Sequence, residues 1–363
     1  MMKLPTKFTS IGGQAVIEGV MMRSPHFVAI AVRKPNGRIV IKNDPFSSIV
    51  QKYPFLGKPV LRGVVTLIES MVHGMGALSY SAQVASEGED TGEKLSTGAI
   101  LVSMGSAFLM GMGLFVALPH YLTVLMTSES ALGISPKSPL FHLLDGAMKM
   151  GILLSYVYLI ALMKDIKRVF QYHGAEHKSI YTFESGQDLT VENARRFPTL
   201  HPRCGTSFLL FLVLISIIVF SIIFPVFGLT DLTQTKWLNH VLMIVIKMAL
   251  MMPVAGLAYE FIKMCACRMQ NPIFRAIIWP GMVLQKLTTR EPTDDQLEVA
   301  LASLRQVLKL EKEEFPDLPA AAAAGGGSHG TPRLKTARVP QIEIGQLAEL
   351  GYVHASVAEF PEN

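Results

Sequence analysis

The sequence predicts a mainly α, polytopic membrane protein with about four transmembrane helices, interfacial helices and a small N-terminal β-containing module. Three observations carry that prediction. Only 17% of the 363 residues are charged, against 50% hydrophobic, where about a quarter charged is usual for a soluble domain. The apolar residues gather into runs long enough to cross a bilayer, which makes the lipid bilayer the first partner. Lys and Arg collect between alternate runs, the asymmetry that orients polytopic chains.

Residues 1–58 form the expected N-terminal module. VAIAVRKPNGRIVIK (28–42) places two β-branched runs around Pro35-Asn36-Gly37, a hairpin signal. GGQAVIEGVMMR (12–23) precedes it, with paired glycines and an isolated Glu18. The start, MMKLPTKFTSIGGQ, lacks the sustained apolar core of a cleavable signal peptide. Residues 60–86 have helical apolar spacing but carry Arg62, Glu69 and His73. Glu69 and His73, four apart, share a helix face. The segment reads as an interfacial amphipathic helix. EGEDTGEK (87–94) is a solvated acidic linker.

Residues 97–262 hold four expected spans, at about 97–119, 143–163, 207–227 and 238–262. Residues 1–96 contain 11 Lys/Arg, 164–206 contain 7 and 263–363 contain 11, while loops 120–142 and 228–237 contain one each. The positive-inside rule then makes both termini and loop 164–206 cytoplasmic. A fifth span at 60–86 would put the basic N-terminus outside. In 263–314, NPIFRAIIWPGMVLQKL (271–287) reads as a re-entrant or interface-lying segment broken at Pro280-Gly281. An amphipathic helix follows, with Leu297, Leu301, Leu304 and Leu308 as its apolar stripe. Residues 315–363 read as a flexible Ala/Gly-rich linker and tail.

The net charge of +5 reflects cytoplasmic basic residues facing lipid headgroups. No basic stripe with interleaved aromatics is present, which argues against nucleic acid as a partner. Three cysteines (204, 265 and 267) make no disulfide framework. Incidental interface thiols are the plain reading of Cys265 and Cys267.

The chemistry concentrates in 171–206. His173-Gly-Ala-Glu176-His177 is an H-x-x-E-H pattern, the reverse of the H-E-x-x-H metalloprotease order. On a helix the two imidazoles lie a turn apart and can reach one cation. Glu176 beside them is placed to take a proton from water, as general base. His201-Pro-Arg-Cys204 supplies two more donors suited to a divalent metal, zinc above all. The plainer readings are a headgroup-level His201 and a Cys204 that caps the third span. Glu260, at the cytoplasmic end of the fourth span, is a candidate distant ligand or partner to a histidine N–H. Glu184, Asp188 and Glu192 read as capping and solvating acids, and Arg195, Arg196 and Arg203 as contacts to lipid phosphate. Lys247, mid-span, must face protein or water, and Glu69 is a candidate partner.

GGQAVIEGVMMR (12–23), YHGAEHK (172–178), LTVENARRFPTLHPRCGTSF (189–208), PVAGLAYEFIK (253–263) and PGMVLQKLTTREPTDDQLEVALASL (280–304) together resemble the bacterial YqhQ-type family. These are uncharacterised membrane proteins labelled as predicted metal-dependent enzymes. The resemblance covers about 10–310 and implies a multi-pass protein of the bacterial cell (inner) membrane. Its label implies a metal borne by His173 and His177, with His201, Cys204 or Glu260 completing the shell.

Three functions are compatible with these residues. The first is a zinc-dependent hydrolase at the cytoplasmic membrane face, acting on a lipid-linked or membrane-protein substrate. The second is a non-catalytic scaffold or assembly factor with a structural metal. The third is a transporter with Lys247, Glu69 and His73 along its path, the weakest because no paired broken spans are visible.

Overall fold

The computed structural model describes residues 11–86, 97–128, 132–135, 137–230, 232–269, 271–314 and 342–343. The expected linker at 87–94 and nearly all of the segment beyond 314 lie outside them. The N-terminal residues form an antiparallel sheet in chain order: β1 (Gly12–Val16), β2 (Gly19–Arg23), β3 (Phe27–Arg33) and β4 (Ile39–Pro45). A two-residue strand, β5 (Ile342–Glu343), pairs with β4. The expected hairpin is β3–β4, with Arg33 opposite Ile39 and Gly37 in its turn at φ +84°, where a side chain is disfavoured. GGQAVIEGVMMR makes a second hairpin, β1–β2, turning at Ile17-Glu18.

Side chains alternate across this sheet because strand periodicity is two. Val20, Met22, Ala29 and Ala31 face one core; Met21, Val28, Ile30 and Val32 face another. The strands therefore read as continuous apolar runs: both faces are covered.

Helices follow in order: α1 (Ile49–Lys52), α2 (Leu61–Ala85), α3 (Thr97–Met112), α4 (Leu118–Thr127), α5 (Pro139–Ile160), α6 (Lys164–Glu184), α7 (Val191–Arg195), α8 (Gly205–Val226), α9 (Lys236–Ala266), α10 (Pro272–Thr288) and α11 (Asp294–Glu314). Ala77 and Val84 of α2 cover one sheet face. Leu297, Leu301 and Leu304 of α11 cover the other, together with Tyr172, Ala175 and Ile180 of α6. Arg33 pairs with Glu298 at 2.6 Å, and Ser303 Oγ donates to the Ala29 carbonyl at 2.9 Å. The stripe read from the sequence thus closes on a sheet near the other end of the chain.

Four helical stretches are long and apolar enough to span a bilayer: Gly105–Thr127, Pro139–Ile160, Gly205–Val226 and Trp237–Ala266. The protein is a polytopic, mainly helical membrane protein. The first stretch runs on past its expected end at 119 because the helix does not stop at Pro119. A π-helical turn, Gly113–Ala117, leads into α4, and such a wide turn accommodates a proline that has no N–H to donate. The second begins at Pro139, where Ser138 caps it by accepting from the Leu140 N–H.

Several expectations are corrected. Lys247 meets Asp145, at 2.7 Å, rather than Glu69. Glu69 instead accepts from Ser48 Oγ and from the Ile49 N–H, anchoring α1 to α2. Lys247 and Glu69 thus belong to separate groups, and the His73 ring packs edge-on to Phe46. Residues 272–288 are one helix containing Pro280, not a broken segment. Gly281 faces Ser207 and Phe211 of α8 so closely that an added Cβ would lie 2.9 Å from each.

α2 and α9 touch through glycines. A Cβ on Gly256 would lie 2.3 Å from the Val60 carbonyl oxygen, while one on Gly76 would meet nothing within 4 Å. Gly256→Val is expected to destabilise the protein by about 1–3 kcal/mol, the usual cost of overpacking, and Gly76→Ala to be neutral. Thermal unfolding in detergent micelles checks this; equal melting temperatures for the two variants would remove the close contact as a constraint.

Candidate metal centre

α6 places His173, Glu176 and His177 on one face, as their i, i+3, i+4 spacing requires. The rings of His173 and His177 have centroids 4.5 Å apart. His173 Nδ1 lies 2.8 Å from the Thr288 carbonyl and His177 Nδ1 lies 2.5 Å from the Thr199 carbonyl. A carbonyl only accepts, so both Nδ1 atoms carry the proton and donate it. Each Nε2 is therefore the nitrogen turned toward the cluster, where a metal would take the place of any proton it carries, the arrangement typical of metal-ligating histidines. His173 Nε2 is 3.1 Å from Cys204 Sγ. One donor atom each from His173, His177 and Cys204 all fall within 4.8 Å of one another.

Three other segments make this convergence possible. Cys204 is the N-cap of α8 and its sulfur accepts from the Thr206 N–H at 3.4 Å, so the capping reading and the ligand reading describe one residue. The Gln285 side chain, from α10, accepts the His201 N–H at 2.8 Å. It donates to the His201 carbonyl at 2.7 Å and to Ser207 Oγ at 2.8 Å. This buried amide pins the 201–204 turn. Gly174 lets the chain after α10 pass against α6, since a Cβ there would lie 2.1 Å from the Arg290 carbonyl oxygen.

Glu176 is 5% exposed and its carboxylate lies 3.9 Å from His173 Nε2. β1 reaches it: the Gly13 N–H bonds the carboxylate, and a Cβ on Gly13 would lie 2.6 Å from Glu176 Cγ. The glycine-rich 12–23 stretch therefore does approach the loop, through Gly13. Gln14 packs against Gly74 of α2, and Glu18 pairs with Arg168 and accepts from the Tyr172 hydroxyl at 3.3 Å.

Electrostatics divide the group. Burial holds the Glu176 carboxyl above its ordinary range, against the pull of His177 and His173. Burial opposes charge on His173, but the Cys204 thiolate and Glu176 outweigh it and hold the imidazole up to about 9. Burial likewise raises the Cys204 thiol, yet His173 and His177 bring it well below its ordinary value; a helix N-terminus acts in the same direction.

The remaining predicted residues are placed elsewhere. His201 lies beside the group, its ring centroid 5.5 Å from that of His177 and 4.5 Å from that of Tyr181. Its Nδ1 accepts from the Arg203 N–H at 3.3 Å, and its Nε2 lies 3.7 Å from Glu184. Burial lowers it to about 4, so it is neutral. Glu260 is held by Arg62 in a two-point ion pair, at 2.6 and 2.5 Å, and lies outside the His173–His177–Cys204 group. Glu184 does not solvate the loop: its side chain is fully buried and paired with Arg203. Arg203 pairs with Glu184 and Arg195 with Asp294. Thr190 caps α7 by accepting from the Asn193 N–H. Thr199, Thr288, Gln285 and Gly13 carried no signal of their own, because three of these four positions act through backbone atoms.

The fold and site define a polytopic helical membrane protein with a two-histidine, one-cysteine cluster capping a span. The chain belongs to the DUF1385 family, described as proteins of unknown function, whose model matches residues 58–310. It is 34% identical over 316 residues to the uncharacterised protein YqhQ of Bacillus subtilis (strain 168), covering 83% of this chain and 92% of that protein. The YqhQ-type resemblance read from the sequence is borne out. No solved structure matches the chain.

His173 is raised above its ordinary value of 6.5, so its contribution to stability is present below 6.5 and is lost as pH rises through about 9. Cys204 is lowered from its ordinary value of 9.0, so its contribution is present above 9.0 and is lost as pH falls through its folded value. The two dependences oppose one another. Metal-stripped protein at neutral pH is expected to show thiolate ultraviolet absorbance that Cys204→Ser lacks. Identical spectra would mean Cys204 is a thiol.

Proposed function

We propose that the protein is a zinc-dependent hydrolase of the bacterial cell (inner) membrane, with its site at the cytoplasmic face and both termini cytoplasmic. His173, His177 and Cys204 are the metal ligands and Glu176 is the general base. The observation that supports this most is the count of converging donors. Three side chains converge with a carboxylate alongside, whereas His201 is turned toward Glu184. Three protein ligands with an open position is the catalytic pattern; four is the structural one.

The donor set fits the ion. Ligands at zinc distances of about 2.0–2.3 Å need donors a few ångströms apart, as these are. Bound zinc would supply Lewis acidity and ease deprotonation of water. The chain's own residues do the rest. The Thr288 and Thr199 carbonyls orient the imidazoles. Glu176, in a dry site with its proton affinity raised by burial, is suited to take a proton near neutral pH. Cys204 opens a helix long and apolar enough to span a bilayer, which supports a site near the bilayer surface and a lipid-linked or membrane-protein substrate.

A second reading keeps one observation in its favour. His177 and Cys204 are only 2% and 7% exposed, which also suits a structural metal in a scaffold or assembly factor.

Elemental analysis of the purified full-length protein separates these. Wild type is expected to carry stoichiometric metal and the His173→Ala, His177→Ala double variant to lack it; metal-free wild type would end both readings. Glu176→Gln should keep the metal and lose turnover of lipid-linked or peptide substrates. Unchanged turnover in that variant excludes Glu176 as the base.

A further inference from the structure

A second group of titratable side chains lies inside the membrane domain, made by different helices and independent of the metal centre. Asp145 (α5) accepts from Lys149 at 2.8 Å and from Lys247 (α9) at 2.7 Å, both on Oδ2. Lys247 Nζ is 3.2 Å from His120 Nδ1 (α4), and His120 Nε2 is 3.2 Å from His240 Nδ1 (α9). His120, Asp145 and Lys247 are each at most 1% exposed, while His240 is half-buried. His142 of α5, also buried, faces the same three charges. α8 contributes aromatic faces there, Phe224 against Lys247 and Phe220 against Lys149.

The donors run in one direction. An ammonium only donates, so His120 Nδ1 accepts from Lys247. His120 must then carry its proton on Nε2, which donates to His240 Nδ1, and the His240 proton sits on Nε2 at the half-buried end. Distance along the helix gives the depth. At 1.5 Å per residue, His240 lies about 6 Å and Lys247 about 16 Å from the start of α9 at Lys236. The start of α9, the start of α5 and the end of α4 adjoin the loops that the Lys/Arg count makes external.

Charge gives the chain its use. Two ammonium groups share one carboxylate, leaving an excess positive charge in a buried, low-dielectric place, where unpaired charge is costly. Asp145 Oδ1 and both ring nitrogens of His142 have no hydrogen-bond partner among the described residues. Moving one proton outward makes the cluster neutral.

We infer that His240, His120, Lys247 and Asp145 form a proton-exchange chain between the external surface and the middle of the membrane domain. The transfer balances. Lys247 gives a proton to His120 Nδ1, and His120 passes its Nε2 proton to His240 Nδ1. His240 releases its Nε2 proton to solvent. Lys247 becomes an amine, and both imidazoles are left neutral in the opposite tautomer. Reversal reloads the lysine. Asp145 is the positioning carboxylate that receives the reloaded ammonium.

The test is exchange of the Lys247 side-chain protons with water, followed by NMR of the full-length protein in micelles with lysine labelled at the side-chain nitrogen. Lys247→Met assigns the signal. His240→Ala, at the half-buried end, spares the buried ion pairs, and His120→Phe removes the central relay. Both are expected to slow exchange of the Lys247 signal while leaving the Lys149 signal and the melting temperature nearly unchanged. Exchange at the wild-type rate in a folded His120→Phe protein would overturn the chain. So would exchange at the wild-type rate in His240→Ala.

Discussion

Two backbone carbonyls, those of Thr199 and Thr288, decide what the α6 histidines can do. Each accepts an Nδ1 proton and so turns the opposite nitrogen of its ring inward. The carbonyls belong to chain segments nearly ninety residues apart, before α8 and at the end of α10. Holding them in place requires α10 to lie along α8, which Gly281 permits, and the 201–204 turn to be fixed, which Gln285 does. A buried amide that makes three hydrogen bonds is costly to lose, since each orphaned group would cost on the order of 1–3 kcal/mol. The site's geometry is thus inherited from the packing of α10 on α8.

Around that site the charged residues pair with one another more than with solvent. Glu184 with Arg203, Lys178 with Glu291, Arg195 with Asp294 and Arg62 with Glu260 tie the loop, α11, α2 and α9 together. Exposed pairs such as Arg195–Asp294 contribute little to stability. The buried members are different: the Glu184 side chain is fully buried against Arg203, where breaking a pair is expensive, and the buried Lys178 ammonium also donates to the Arg195 carbonyl at 3.0 Å. These two fix the walls of the site rather than adding reactive groups to it.

The sequence disclosed the parts of this arrangement that depend on local spacing. H-x-x-E-H put two imidazoles and a carboxylate on one helix face, Pro-Asn-Gly announced the β3–β4 turn, and the long apolar runs announced the spans. It was silent where partners are distant or are backbone. A carbonyl acceptor leaves no mark on residue identity, so Thr199 and Thr288 were invisible. Glu260 looked available because Arg62, some two hundred residues earlier, could not be seen beside it. His201 looked equivalent to Cys204, but a four-residue turn cannot say which way its rings face, and Glu184 and Tyr181 turned His201 aside. Lys247 needed a carboxylate, and helix packing, not sequence distance, selected Asp145 over Glu69.

The proposed metal centre has three protein donors, His173, His177 and Cys204, with His201 outside it. X-ray absorption at the zinc edge on zinc-loaded full-length protein reads that shell directly. One sulfur at about 2.3 Å with nitrogen or oxygen neighbours at about 2.0 Å is expected, as is an unchanged shell in His201→Ala. A shell without sulfur, or one that loses a nitrogen in His201→Ala, would contradict it.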